Sequence, residues 1–582
     1  MTASTASDSR LAVRPEHKLT RLLNPSPRLC WAALTIAWVT ATALLLWLHR
    51  DLTFAVDEFD FSETAGTGSI EDLLAPKNGH LIVLPLLLYK LLYTLFGTTL
   101  APFTLVEGLM LAAVSAGLYV FSRPRVGPLL ALVPAVLPLF LGSAWPLLMP
   151  PMIGLLWICS IAGGLWALVL VKRDARAGDI AACGLLCLSL ASFTFGMVFI
   201  AACALAILLA PGRWRRVWIV AIPIAAWIGW RLWAMKYGSI EAHYGYLLLL
   251  PAYAVDSIAA NAAALFGRTL PYSPATSLYL DGFSAQRLVA TIGLVAVEVL
   301  ACLAVIRRVG VKRLNRPSVW IVLVIPLVWW ASQVVVLEEF RTPETNRYFF
   351  AGVVILLMVV VEIARGLRVT PTVVGIAFAL AAVALVGNLA AFRHGRAALV
   401  TLSDEAKANM AAIELAGRRG DQAFVLSSEQ LTPQSQFMFL TVGRYLDVVE
   451  RYGSPADSLG ELARRPEPIR QAADITLARL LLLHSSPVHG QVTGRCRRYT
   501  GLGDRREVVV RLPLGGAILR SKAPRPLRLG RFADGYPVRI GRLKSSTPVR
   551  IEIPPDGSRR MWRLSAAGTA PLSVCPSRNS TA

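Results

Sequence analysis

The sequence is poor in charge. Only 16% of its 582 residues are Asp, Glu, Lys or Arg, against about 25% in an average soluble domain. Acidic residues are the scarcer sign, 36 against 59 Lys plus Arg, which leaves a formal net charge of +23. So little charge excludes a disordered chain and an ordinary cytosolic enzyme. Cysteine is sparse too. There are eight, most inside apolar runs and none in the spacing of a zinc or disulfide-scaffold framework. No internal repeat and no low-complexity linker interrupts the chain.

Apolar residues are what the sequence has, 55% of it, with a mean hydropathy of +0.55. That composition implies a polytopic membrane protein with a water-exposed part attached. The texture changes near residue 393. Before it, uncharged apolar runs recur. After it come 30 Lys and Arg against 16 Asp and Glu, a net charge of +14, and no run long enough to cross a bilayer. The expected parts are a cytoplasmic tail over 1–28, a multi-span helical domain over 29–392, a mixed α/β region over 393–500 and a β-sandwich-like region over 501–582.

Basic residues set the expected topology through the positive-inside rule. Arg10, Arg14, Lys18, Arg21 and Arg28 precede the first apolar run, 29–48. The N-terminus is therefore expected in the cytoplasm, with that run as a retained anchor. Later basic clusters at 123–125, 172–176, 213–216, 307–316 and 365–368 mark further cytoplasmic turns. Their alternation gives about eleven crossings: 29–48, 102–121, 128–142, 147–171, 178–192, 195–210, 217–234, 288–306, 317–336, 348–364 and 370–391. Segment 81–97 holds Lys90 and Pro85 and reads as a helix in the outer interface. An odd number of crossings places the C-terminal domain outside the cytoplasm, and outer loops over 49–101 and 235–286. The expected location is a plasma membrane, with membrane lipids as partners.

Polar chemistry in such a chain belongs on outer loops or in a cavity beneath them. The first loop carries Asp57, Glu58 and Asp60 among aromatics, then Lys77, Asn78 and His80 on the way into the interfacial helix. Like-charged neighbours and partial desolvation make a carboxylate there a better base; a solvated acidic turn fits the spacing equally. The last outer loop runs through Glu338, Glu339, Arg341, Glu344 and Arg347 to Tyr348, where a span begins. Arg347 at that mouth suits a phosphate; anchoring in the headgroups suits it as well. Glu107 and Glu298 fall inside expected spans, and His243, Tyr244, Tyr246 and Asp281 lie in the second long loop. The stretch 246–266 reads as loop or as another interfacial helix.

A cytoplasmic N-terminus, one span, an outer loop with an Asp-Glu pair, an interfacial helix ending in Phe-Gly, many spans and a late Arg-Tyr together resemble the GT-C superfamily of membrane glycosyltransferases. The likeness is closest to the bacterial protein mannosyltransferase and aminoarabinose transferase groups, and it covers most of 29–392. The resemblance implies an inverting transfer of a sugar from a polyprenyl-phosphate donor to a glycan or lipid acceptor of the cell envelope. It implies Asp57 as the acidic residue of the first loop that serves as catalytic base or orients the acceptor, with Glu58 completing the pair. It implies Arg347 at the donor phosphate, where Arg341 is a second candidate cation and Tyr348 adjoins. His80 stands by its position where an acceptor or phosphate would meet it; a structural histidine capping the interfacial helix fits equally. The sequence departs from these relatives in one respect: Asn78-Gly79-His80 stands where many have a His/Lys-Pro-Pro segment. No His-rich or Cys-rich spacing names a metal, although Asp57, Glu58 and Asp60 suit weak binding of Mg or Mn.

The C-terminal region reads as helix over 404–418 and 434–453, with a strand near 423–427. From about 505 the texture is β, in short alternating runs at 508–512, 517–520, 527–529, 538–540, 549–553, 562–564 and 572–575. Cys496 and Cys575 flank these runs and are the disulfide candidates; two free thiols are the alternative. Nucleic acid is not an expected partner of a basic domain outside the cell. Two other readings stand beside the transferase: a lipid or polysaccharide transporter, and a non-catalytic envelope assembly protein. Paired half-domains would mark a transporter, and the sequence shows no such symmetry.

Overall fold

The computed structural model describes residues 25–54, 57–173, 175–238, 242–273, 316–337, 341–366, 369–425, 441–488, 495–500 and 507–576, apart from 557, 559 and 569, with a few isolated residues between 285 and 307. The expected span at 288–306, with Glu298, and the residues Asp281, Glu338 and Glu339 lie outside the described residues. The chain divides into two compact units. One comprises 25–48, 74–85 and 104–396; the other comprises 49–73, 86–103 and 397–576.

The first unit is helical. Eight described helices in the chain are long and apolar enough to cross a membrane, among them Pro27–Leu48, Ala101–Val126, Pro151–Val171, Trp218–Tyr237, Tyr244–Leu265, Pro317–Val334 and Asn346–Ile363. Length and hydropathy put Tyr244–Leu265 in this set, where the sequence suggested a loop or an interfacial helix. The interfacial reading of 81–97 corresponds to helix Val83–Phe96, 14 residues and too short to span.

The run 128–142 differs from the single span expected of it. It breaks into helix Leu132–Val136 and 3-10 turns Leu137–Phe140 and Gly142–Ala144. Pro134 and Pro138, four residues apart, each remove a backbone donor, and together they favour a break over a continuous helix. Such broken backbone is tolerated at membrane depth only when protein encloses it, and here it is enclosed. Leu139, Leu141 and Ser143 are buried. Asn388 accepts the Ser143 N–H at 3.0 Å and donates to the Leu265 carbonyl at 2.8 Å. Buried ion pairs meet the basic turns: Arg216 with Asp179, and Arg125 with Glu362, which also accepts the Ser318 hydroxyl at 2.6 Å.

The second unit joins the first loop to the chain after 397. Helix Asp57–Thr67 packs against helix Val442–Tyr452 through Glu63 and Arg444, 3.6 Å apart, and through Arg451, which donates to the Gly66 carbonyl at 2.6 Å. A Cβ on Gly66 would lie 2.8 Å from the Tyr452 ring, so the contact needs glycine. Lys407 reaches the Asp51 carbonyl at 2.9 Å.

The C-terminal strands are β1 Ser485–Pro487, β2 Arg497–Tyr499, β3 Glu507–Arg511, β4 Ala517–Ser521, β5 Arg525–Gly530, β6 Val538–Leu543, β7 Val549–Ile551, β8 Arg563–Ala567 and β9 Leu572–Pro576. They form two antiparallel sheets, ordered β1-β7-β4-β9-β2 and β3-β8-β5-β6. Leu519, Ile551 and Leu572 of one sheet and Leu527, Leu564 and Ile540 of the other are buried. Cys496 and Cys575 are joined by a disulfide. Helix Glu467–Leu480 is tied to the strands by Asp474, which accepts the backbone N–H groups of Arg531, Phe532 and Ala533.

Candidate functional site

Within the first unit, the residues suited to anion chemistry gather around His80. The chain reverses over Lys77-Asn78-Gly79-His80. Lys77 and His80 exchange backbone hydrogen bonds of 3.1 and 2.9 Å. Asn78 and Gly79 both take positive φ, 48° and 77°. Asn-Gly is the pair that such a primed turn favours. The turn fixes the direction of His80, whose ring lies against Phe193 at 4.3 Å. Its Nδ1 is buried and has no hydrogen-bond partner among the described residues.

Three arginines act on this imidazole. Burial, then the charges of Arg341, Arg231 and Arg347, bring the His80 pKa to about 4, below its ordinary 6.5. At neutral pH His80 is therefore uncharged, and its surroundings oppose protonation, so the ring acts as a neutral hydrogen-bonding group. Arg231 lies in the last turn of helix Trp218–Ala234. Its neighbour Trp230 donates to the Leu74 carbonyl at 2.8 Å, pinning the segment that leads into the His80 turn. Arg347 sits in the 3-10 turn Asn346–Tyr348, its guanidinium 5.1 Å from the Tyr348 ring. Tyr253 donates to the Arg341 carbonyl at 3.3 Å. Glu344 accepts the Ser273 N–H at 3.1 Å.

Aromatic rings continue from this cluster. Phe193 packs on Trp157 at 4.6 Å, and Trp157 on Tyr348 at 5.9 Å; Tyr348 meets Trp329 at 6.4 Å. Trp329 also lines a cavity of about 350 Å³ between helices Leu250–Leu265, Pro317–Val334 and Phe349–Ile363. Its wall is apolar, with Trp320, Leu323, Leu327, Ile355 and Val359 among the lining residues. Tyr348, expected at the donor phosphate, is buried in this ring stack.

The loop acids belong to the second unit. Glu58 is 1% exposed, so it is no solvated turn residue. The Tyr89 hydroxyl lies 3.4 Å from its Oε1, and Tyr89, Tyr93, Phe54 and Phe103 pack ring on ring beside it. Asp57 opens the helix, its side chain lying outside the described residues; Asp60 is half-buried. His80 thus falls in a different unit from the acids with which the sequence grouped it. Of the other loop candidates, His243 donates its N–H to the Val335 carbonyl at 2.8 Å and stacks on Tyr246. Glu107 is buried in helix Ala101–Val126. Among the described residues, no three His, Cys, Asp or Glu side chains gather as a metal site would need.

Sequence reasoning passed over Arg231. The signal was present: an arginine inside the apolar run 217–234 is a functional candidate by its cost there. The Asn-Gly pair was likewise a turn signal. No protein-family model matches this sequence, and no curated protein matches it. Fold and composition define a mostly helical protein with apolar helices of membrane-crossing length and a C-terminal β region.

Proposed function

We propose that the chain is a multi-pass plasma-membrane glycosyltransferase that moves a sugar from a polyprenyl-phosphate donor to an acceptor on the extracytoplasmic side. The observation that carries this reading is the neutral His80 held among Arg231, Arg341 and Arg347. A cation cluster at the end of apolar helices suits a lipid phosphate, and the apolar cavity reached through Tyr348 and Trp329 suits its hydrocarbon.

In the proposed reaction an acceptor hydroxyl oxygen attacks the anomeric carbon. The bond from that carbon to the phosphate oxygen breaks, and the hydroxyl proton passes to a base. The prenyl phosphate leaves with a gain of negative charge, which the arginines stabilise more than they stabilise the donor. Asp57 is the base that the family likeness names, and a neutral His80 is fit to orient the phosphate by a hydrogen bond.

The test is transfer in membranes supplied with a radiolabelled polyprenyl-phosphate sugar. Arg347→Ala and Asp57→Asn are expected to lose most of the product. Wild-type transfer by both variants would sink the reading. Movement of intact donor across the membrane without a new glycosidic bond would replace it with a transporter.

A further inference from the structure

The four-stranded sheet β3-β8-β5-β6 has two unlike faces. Alternation along its strands turns Val508, Val510, Leu564, Ala566, Leu527, Leu529, Val538 and Ile540 inward, where they are buried. The outward positions carry Arg511 on β3, Arg563 on β8, Arg528 on β5, and Arg539 and Arg542 on β6. Register makes their placement sharper. Arg511 stands directly opposite Arg563, and Arg528 directly opposite Arg539. A shift in register after Leu527 brings Arg542 outward beside Pro526.

Like charges directly opposite across a strand pair are destabilising. Arg563 has relief nearby: Asp534 lies 3.4 Å away. Glu507, the acid on this face, accepts the Ser565 hydroxyl. Arg511, Arg528, Arg539 and Arg542 are exposed and have no hydrogen-bond or ion-pair partner among the described residues. Strands about 4.8 Å apart and outward residues about 7 Å apart along a strand set these cations in a compact lattice.

We propose that this face binds an acidic polysaccharide whose carboxylates recur along the chain. The inference does not rest on the transfer reaction. All five cations are arginine, whose planar fork matches a carboxylate with two parallel hydrogen bonds. A lipid surface is sensed as diffuse charge that lysine serves as well, and is usually accompanied by apolar side chains that insert. The one large apolar side chain exposed among these strands is Val509. A polymer that brings one carboxylate to each guanidinium removes the repulsion in both opposed pairs at once.

The experiment uses the full-length protein in nanodiscs of neutral lipid, with polygalacturonate as probe, dextran as the uncharged control and phosphatidylglycerol vesicles as the lipid arm. Polygalacturonate is expected to bind, dextran is not, and affinity is expected to fall as salt rises. The double variant Arg528→Ser with Arg539→Ser is expected to weaken binding by roughly tenfold or more, two charge-assisted contacts being lost. Arg511→Ser with Arg542→Ser is expected to act in the same direction. Unchanged thermal midpoints would confirm that these exposed substitutions leave the fold intact. Failure to bind polygalacturonate, or undiminished binding by both double variants, would overturn the proposal. So would arginine-dependent binding of the vesicles alone.

Discussion

The ring of His80 lies 4.3 Å from that of Phe193, centroid to centroid. One wall of the imidazole is thus apolar while the charges around it are guanidinium. Both conditions oppose protonation, and they set the first prediction. The folded-state pKa, about 4, lies below the ordinary 6.5. The folded protein therefore binds fewer protons than the unfolded chain between these values. The stability His80 contributes is complete above pH 6.5 and is lost as pH falls toward 4. A thermal midpoint measured from pH 7.5 to 4.5 is expected to fall less in His80→Gln than in wild type. In an activity assay, no titration near 6.5 should come from this residue.

Arg231→Gln tests the arginine that the loop motifs did not reveal. One positive charge disappears from beside His80, so the imidazole pKa moves up toward its ordinary value. If the cluster holds a lipid phosphate, the same variant loses a charge-assisted hydrogen bond, about 1.5–3 kcal/mol. KM for the lipid donor is expected to rise by roughly ten- to a hundredfold. A purely structural role would lower stability and leave the acid limb of the pH profile in place.

The segregation of apolar helices from a basic, β-rich C-terminus was legible because both signals are periodic. The run at 508–512 alternates inside and outside and became β3; the run at 572–575 became β9. Strands β1 and β2, three residues each, are too short for alternation to show and were not read. The run 128–142 misled because hydropathy counts apolar residues but does not register what Pro134 and Pro138 do to backbone hydrogen bonding. In the candidate site, Arg347 and Arg341 were visible as charges of the last loop, and His80 as the imidazole that leads into the interfacial helix. Arg231 needs the three-dimensional approach of helix Trp218–Ala234 to the His80 turn, which no local pattern encodes. The burial of Glu58 among Tyr89, Tyr93 and Phe103 likewise depends on residues distant in sequence.

The turn that aims His80 depends on glycine. Gly79 has φ of 77° next to Asn78 at 48°, and a Cβ in that region costs about 1–2 kcal/mol. Gly79→Ala is expected to lower stability by about that amount. It should reduce transfer more than the stability loss explains, because the imidazole moves from among the arginines. Asn78→Gly, which permits the same turn, is expected to retain activity. Equal transfer by Gly79→Ala and wild type would separate the turn from the reaction.

The Cys496–Cys575 bond closes a loop of 79 residues and ties β9 to the chain before β2. Loss of such a cross-link costs about 2–5 kcal/mol. Cys575→Ser is expected to lower the unfolding midpoint of the C-terminal strands. Disulfides persist in oxidising compartments, so the bond also bears on which side of the membrane this unit occupies. In intact cells, a membrane-impermeant thiol reagent is expected to label Cys496 and Cys575 only after an impermeant reductant. Labelling without reduction, or none after it, would place the unit in the cytoplasm or leave the thiols unpaired.

Arg525 opens β5 and faces inward, 1% exposed, with none of its three guanidinium nitrogens hydrogen bonded among the described residues. At Gly568, where φ is 119°, a Cβ would come within 3.6 Å of the Arg525 Nε. Arginine does not shed its charge in proteins, so among the described residues this cation is uncompensated. Unsatisfied buried donors cost about 1–3 kcal/mol, and charged ones more. Arg525→Met keeps the length of the side chain and removes the charge. It is therefore expected to raise the stability of the sandwich by about 1–3 kcal/mol, read from urea unfolding followed by tryptophan fluorescence, Trp562 being buried in this unit. Arg525→Lys keeps the charge and should bring no gain. A loss of stability in Arg525→Met would mean that the guanidinium is held by attractions stronger than its desolvation, and that its charge belongs to the folded core.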